Sequence, residues 1–386
     1  MRTQRSTPTP RRGAATLQQV ADAAGVSLAT ASRVLNGSTR TVNPELSEHV
    51  KEVAARLRYV SHGPAQALAR ATTSLVGLLV HDVNDPYFSA IAAGAMRVAR
   101  ERDLLVMVAN TYRDPDLELD YITRLDAQRA RAILVAGSPP VAAAPAAALR
   151  ERLVDYVHGG GRVVSIGDQG PDIDAVLPEN AAGGRAAALH LAGLGHREIG
   201  VVTGPAGLVT VADRLEGFTR GLLEAGGDIH TTALQGDFTR DGGYQATRRL
   251  LEKHPKVTAV FALSDLMAVG ALAALREAGR RVPDDVSLIG FDDLAICADL
   301  TPALTTVRVD TEGMGEQAMR MVVAAGPEAE AGPDADADAD AAAGTGAGDA
   351  AGDGVPADAA VTAEQRTTIQ SPTELIVRGS TGPAVS

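Results

Sequence analysis

Between Ser27 and Arg33 the chain sets out Leu28, Ala29, Thr30, Ser32 and Arg33, mostly short or hydrogen-bonding side chains. Hydroxyls and a guanidinium can read base edges, and alanine and leucine can meet a thymine methyl. Short side chains also let a helix enter a major groove closely. That chemistry needs a helix presented by its N-terminal end, and the flanking residues supply one. Thr16 with Gln19 forms a capping box, after which Leu17, Val20, Ala21 and Ala24 recur on one helical face. Gly25 provides a left-handed turn, and Ser27 caps a second helix whose Ala31, Val34 and Leu35 face inward. Asn43, followed by Pro44, starts a third helix. Its Leu46, Val50, Val53, Ala54 and Leu57 make an apolar stripe able to close a three-helix core. The pattern predicts a helix-turn-helix. From the local pattern alone, an ordinary helical hairpin is the alternative.

A short segment, PAQALAR from Pro64 to Arg70, follows. It is too short to be a stable isolated helix, so it should fold only when something pins it. Leu68 would then be the exposed apolar side chain of that turn, the type that wedges between base steps from a minor groove. A plain linker with a stray leucine is the other reading. Thr16, Ser27, Asn36, Gln66 and Leu68 complete the candidate DNA contacts begun by Leu28, Ala29, Thr30, Ser32 and Arg33.

Downstream, apolar runs alternate with amphipathic stretches. LVGLLV, LLVMVAN, AILVA, VVSIG, IGVVTG, AVFALS and SLIG read as buried strands. Ser89 to Arg102, Gly184 to Leu194 and Leu266 to Ala278 read as helices between them. Such alternation implies α/β lobes of parallel sheet covered on both faces, and the length suits two lobes with a cleft.

The motifs AGVSLATASRVLNGS, VNPELSEHV, LRYV and PAQALA resemble the LacI/GalR family of bacterial transcription regulators. VGLLVHDVNDPYF, LGHREIGVVTGP, RLEGF, FALSDLMAVGAL, VPDDVSLIGFDDL, TPALTTVRVD and TELIVRGST continue the resemblance in family order across almost the whole chain. His62 stands where the family often has Asn, and Gln66 where many members have Arg. The resemblance implies an all-α helix-turn-helix domain followed by a two-lobed domain like the periplasmic sugar-binding proteins. It also implies a homodimer on a pseudo-palindromic double-stranded operator and a small-molecule effector, most simply a carbohydrate.

Open α/β sheets bind ligands at the C-terminal ends of their strands. His81, Asp85, Tyr87 and Phe88 follow the first strand; Asp168 follows VVSIG; Ser264 and Asp265 end AVFALS; Asp292 follows SLIGF. The resemblance adds Arg214 and Asp292 as holders of polar ligand groups and Phe238 as a ring that packs against the ligand. Together they suit a polyol, since carboxylates accept from hydroxyls, arginine donates in a fork and an aromatic face packs a sugar. Duller roles stand beside these. Asp292 and Asp293 could cap turns, Phe238 could be core, Asp265 could cap its helix, and His81 and Asp85 could be solvated rim residues.

The 386 residues carry a net charge of −12. Met1 to Thr73 holds ten Arg and Lys against four Asp and Glu, net +6, which leaves −18 on the remainder. A basic head on an acidic body suits a DNA-binding module joined to a sensor. No signal peptide and no membrane-length apolar run is visible, which points to the cytoplasm. One cysteine, Cys297, excludes intrachain disulfides and cysteine-based zinc sites, and reads as a packed residue. No phosphate loop, zinc-ligand spacing or nucleophile elbow appears, so no enzyme and no cofactor is expected. A nucleobase effector and a solute-binding protein are the rival readings. The domain plan is a basic disordered tail at 1–15, helix-turn-helix at 16–62, hinge at 63–73 and effector domain at 74–325 plus 366–380. An Ala/Asp/Gly-rich acidic insertion at 326–365, containing DADADADAAAGTG, interrupts the last part and is predicted to be disordered.

Overall fold

The computed structural model describes residues 15–36, 42–59, 73–139, 143–324 and 366–384. The basic tail, nearly all of the hinge with Gln66 and Leu68, and the acidic insertion lie outside the described residues. The chain divides into two compact units, Met1–Thr73 and Ser74–Ser386.

In the first unit, α1 (Leu17–Ala24) opens on the capping box: the Gln19 amide donates to the Thr16 hydroxyl at 3.3 Å and the Thr16 amide to the Gln19 side chain at 2.9 Å. Gly25 ends it at φ +67°, where a Cβ would be strained. The Ser27 hydroxyl accepts from the Thr30 amide at 3.1 Å at the start of α2 (Leu28–Asn36). Asn43 accepts from the Glu45 amide at 2.9 Å and Pro44 opens α3 (Pro44–Arg56). Val20, Ala21, Ala31, Val50, Val53 and Ala54 form the core, with Leu17, Val34, Leu35 and Leu57 packed against it. Leu46 departs from the expected stripe: it sits in the first turn of α3 and is exposed, so the core closes from Val50 onward.

The second unit holds two six-stranded sheets. The first comprises β1 (Leu75–Val80), β2 (Leu105–Asn110), β3 (Ala132–Ala136), β4 (Arg162–Ile166), β5 (Asp174–Pro178) and β11 (Thr368–Ser371). Its order is β11-β5-β4-β3-β1-β2, all parallel. The second comprises β6 (Glu198–Thr203), β7 (His230–Gln235), β8 (Ala259–Ala262), β9 (Ser287–Asp292), β10 (Thr305–Val309) and β12 (Thr373–Ile376). Its order is β12-β10-β9-β8-β6-β7, with only β12 antiparallel. In the first lobe, α4 (Pro86–Glu101) and α11 (Thr311–Ala324) pack one face and α5 (Pro115–Ala127) and α6 (Ala143–His158) the other. In the second, α7 (Asn180–Gly193) and α8 (Val209–Ala225) pack one face, and α9 (Arg240–Lys253) and α10 (Asp265–Glu277) the other. The chain crosses between lobes after β5, after β10 and between β11 and β12. The first and third crossings are tied by the Glu179 amide donating to the Ser371 carbonyl at 2.9 Å and the Thr373 hydroxyl to the Glu179 carbonyl at 3.1 Å.

The run read as a buried strand at LLVMVAN is instead the edge of its sheet. Having one neighbour, β2 leaves Leu105 and Met107 exposed at 66% and 42%. Cys297 is buried in the second lobe's core. Among the described residues, no helix is long and apolar enough to cross a membrane.

Candidate functional site

A cavity of about 320 Å³ opens between the two lobes, within the range of small-molecule sites. It lies where the strand order reverses in both sheets, beyond the C-terminal ends of the strands.

Its second-lobe wall is built around Arg214 on α8. Gly184 and Gly217 let α7 and α8 approach so closely that a Cβ on either would collide with a facing backbone carbonyl, of Arg214 and Ala181 respectively. This brings the first turn of α7 against Arg214, whose Nε donates to Asn180 Oδ1 at 2.9 Å. One terminal nitrogen donates to the Leu263 carbonyl and the other to Asp292 Oδ1 at 3.0 Å. The guanidinium lies 3.7 Å over the Phe291 ring, a cation–π contact. Asp292 has φ +117°, a conformation that β-carbon residues rarely adopt and that tends to mark functional positions. Burial pushes its carboxyl well above the usual range, against the opposing pull of Arg214. Phe238 fills the space over Gly204, where a Cβ would collide with its ring, and packs against both apolar clusters of the lobe. Ser264 caps α10, its hydroxyl accepting from the Met267 amide at 3.3 Å.

The first-lobe wall comes from loops and a helix cap. Asp85 caps α4, accepting from the Tyr87 amide at 3.0 Å, and burial raises its carboxyl. Tyr87 and Phe88 meet edge to face at 5.1 Å, and His81 meets Phe88 likewise at 5.5 Å. Burial and the nearby Arg113 push His81 down to about 3, so it is neutral at ordinary pH, 3.6 Å from Glu118. Asp168 accepts from the Gly170 amide at 3.0 Å and pairs with Arg366. Across the cleft, the Thr210 amide donates to the Ser138 hydroxyl at 2.9 Å and the Val209 amide to the Pro139 carbonyl at 3.3 Å.

His81, Asp85, Tyr87, Phe88, Asp168, Arg214, Phe238, Ser264 and Asp292 therefore all line the cavity. Asp265 does not. As the first residue of α10 it turns under β9 and β10, accepting from Thr306 at 2.6 Å and from the Leu294 amide at 2.8 Å, and burial pushes it up to about 6. Its side chain is a buried strut of the second lobe and is fully enclosed. The sequence reading missed Arg113, Glu179, Asn180, Asp213 and Gln370, which share the lining. Arg113 follows the C-terminal end of β2, so the rule that found His81 and Asp168 would have found it too. Glu179 and Asn180 follow β5 at the start of α7, and Gln370 belongs to β11, a short strand whose composition carries no apolar run.

In the first unit, Thr16, Ser27, Leu28, Ala29 and Arg33 are exposed and Thr30 and Ser32 half-buried. Thr16 and Ser27 spend their hydroxyls on caps. The Asn36 side chain lies outside what is described. Among the described residues no group of three or more His, Cys, Asp and Glu side chains could hold a metal ion.

Residues 16–62 match bacterial regulatory proteins of the lacI family, and residues 188–337 a periplasmic binding protein-like domain. The HTH-type transcriptional regulator CelR of Thermobifida fusca is 36% identical over 321 residues, 81% of this chain and 92% of that protein. The transcriptional repressor PurR of Klebsiella pneumoniae is 34% identical over 311 residues, covering 80% and 89%. A CelR–cellobiose complex superposes with a TM-score of 0.63 at 29% identity, over 95% of this chain and 99% of that one. The lac repressor dimer bound to operator and the anti-inducer ONPF shares the fold with a TM-score of 0.77 at 24% identity, over 96% and 100%. The chain thus joins a helix-turn-helix to a two-lobed periplasmic-binding-protein-like domain and belongs to the lacI family of DNA-binding transcriptional regulators.

Proposed function

We propose that this regulator works as a homodimer on a pseudo-palindromic operator, and that a small sugar in the interlobe cavity changes its operator affinity. The observation that carries the reading is the composition of the cavity wall. Asp85, Asp168, Glu179, Asp213 and Asp292 offer acceptors to hydroxyls around the ring of Phe238, and Tyr87 adds a phenol. The similarity to a regulator whose complex holds cellobiose supports a glycoside as the ligand class. Each subunit would present Leu28, Ala29, Thr30, Ser32 and Arg33 to one half-site, with Thr16, Ser27, Asn36, Gln66 and Leu68 flanking them. The target of repression would be genes of carbohydrate uptake or catabolism, and the protein would act in the cytoplasm beside its DNA.

The cavity has a binding role and no catalytic one. Its strongest polar pair, Arg214 and Asp292, is joined by a hydrogen bond within the wall. Coupling would run through the crossings between lobes, which carry any change in lobe relation toward the start of β1 and the hinge. A ligand shifts such an equilibrium only by binding its two states differently, commonly by ~1–3 kcal/mol. The domain limits follow the same reading: head 16–62, hinge 63–73, effector domain 74–325 with 366–380, and an acidic insertion at 326–365.

A thermal-shift screen of cellobiose, glucose, sugar phosphates and hypoxanthine tests the ligand class, since a native-state ligand raises the melting temperature. Stabilisation by an unmodified sugar is the expected outcome. Stabilisation by hypoxanthine alone would replace the sugar reading with a nucleobase one, for which Tyr87 and Phe238 provide aromatic faces.

A further inference from the structure

We infer that the first lobe caps helix α8 of the second across the cleft, and that this cap, made by Ser138 and Pro139, latches the cavity shut around its effector. The consequence for effector affinity rests on the reading of the cavity as the effector site; the latch itself does not.

A helix begins with backbone amides that have no partner inside it, and the residue before its first turn ordinarily supplies one. In this domain α4, α5, α9 and α10 open on Asp85, Asp114, Thr239 and Ser264, each accepting from an amide of its own first turn. Helix α8 opens on Leu208, whose side chain can accept nothing. Its first two amides turn instead to the other lobe. Thr210 donates to the Ser138 hydroxyl at 2.9 Å, and Val209 to the Pro139 carbonyl at 3.3 Å. Ser138 thus does what an N-cap serine does, holding the second amide of the helix, from 72 residues away in the chain.

The segment that carries the cap is fixed in the first lobe. The Gly137 amide donates to the Ile166 carbonyl at 3.0 Å, and the Gln169 side chain to the Gly137 carbonyl at 3.3 Å. Gly137 has φ +140°, and a Cβ there would collide with the His81 ring. Ser138 and Pro139 therefore stay behind when the lobes part, and both amides lose their partners. Thr210, Asp213 and Arg214 line the cavity from the first turns of the same helix. A ligand resting there sits beside the cap, in the space that the cap closes. It binds the latched arrangement best, so a weaker latch lowers its apparent affinity through the smaller closed fraction.

Two measurements on the full-length protein test this. In the first, hydrogen exchange of the Val209 and Thr210 amides is followed by mass spectrometry without ligand, in wild type, Ser138→Ala and Ser138→Thr. Exchange should quicken roughly threefold or more in Ser138→Ala and return toward wild type in Ser138→Thr, which keeps a capping hydroxyl. The later turns of α8 should exchange as before. Equal rates in wild type and Ser138→Ala overturn the latch. In the second, calorimetric titration with cellobiose compares the same three proteins. Ser138→Ala should bind roughly three- to tenfold more weakly, and Ser138→Thr should recover most of the loss. Faster exchange with unchanged affinity overturns the coupling of latch to effector. Weaker binding with unchanged exchange makes Ser138 a plain ligand contact and overturns the proposal as well. If wild type binds no cellobiose, the sugar reading falls. Hypoxanthine then takes its place in the titration, and the exchange rates decide the latch on their own.

Discussion

The two walls of the cavity are built by different means. The second-lobe wall is a rigid assembly: glycine contacts lock α7 to α8, and Arg214 donates to three partners within it. The first-lobe wall consists of loop residues and a helix cap, with His81, Asp85 and Arg113 each held by few direct bonds. A matched buried network has one arrangement and costs much to break, whereas groups on loops can settle against whatever enters. The difference assigns the second lobe the part of template and the first lobe the part that responds.

Arg214→Ala should break that contrast most severely. It leaves the buried Asp292 carboxyl, the Asn180 side chain and the Leu263 carbonyl without their donor, a change that typically costs ~1–3 kcal/mol for each group. Urea unfolding of the two-lobed domain measures it; a loss well under 1 kcal/mol would mean the wall is no rigid template. Next comes Gly217→Val, which drives a side chain into the Ala181 carbonyl and separates α7 from α8. Overpacking of this kind costs roughly 1–3 kcal/mol, and the shift in denaturation midpoint should exceed that of Gly217→Ala.

The contrast between spent and free polar groups recurs in the head. Ser27 is occupied by its cap, while Arg33 is exposed on α2. Arg33→Ala should lose roughly 1–3 kcal/mol of operator affinity and relax preference at one base pair. Binding-site selection that finds preference and affinity unchanged would remove Arg33 from the reading surface. A smaller effect is expected at His81. Its folded value of about 3 lies below the ordinary 6.5, so the unfolded chain takes up the proton first and stability falls as pH drops through 6.5 toward 3. The slope should be at most about 1.4 kcal/mol per pH unit and should flatten in His81→Gln. Melting curves from pH 7 to 4.5 with equal slopes would show that His81 is not buried neutral.

Much of this was legible in the sequence because periodicity and caps are local. The capping box at Thr16, the turn at Gly25 and the Pro44 start all stand where their residues imply. So do the buried strands LVGLLV and AILVA. Edge position is not local, which is why LLVMVAN looked buried and the polar HTTALQ of β7 did not look like a strand. Leu46 failed for a similar reason: an apolar residue in a first turn fits the stripe but reaches past the core. Side-chain direction at a strand end is also invisible to pattern. Ser264 and Asp265 are neighbours, yet one lines the cavity and the other turns beneath it. Arg214 was found through family resemblance, but that Asn180, Leu263 and Asp292 hold three of its donors follows only from what surrounds it.

The claim at the centre is that ligand in this cavity governs operator binding. Fluorescence anisotropy of a selected operator fragment, titrated with the sugar that stabilises wild type, tests it on wild type and Asp292→Asn. Wild type should change operator affinity roughly 5–150-fold on saturation. Asp292→Asn should still bind the fragment, but at the same sugar concentrations its affinity should hardly move. An undiminished sugar response in Asp292→Asn would contradict the account and place the effector elsewhere.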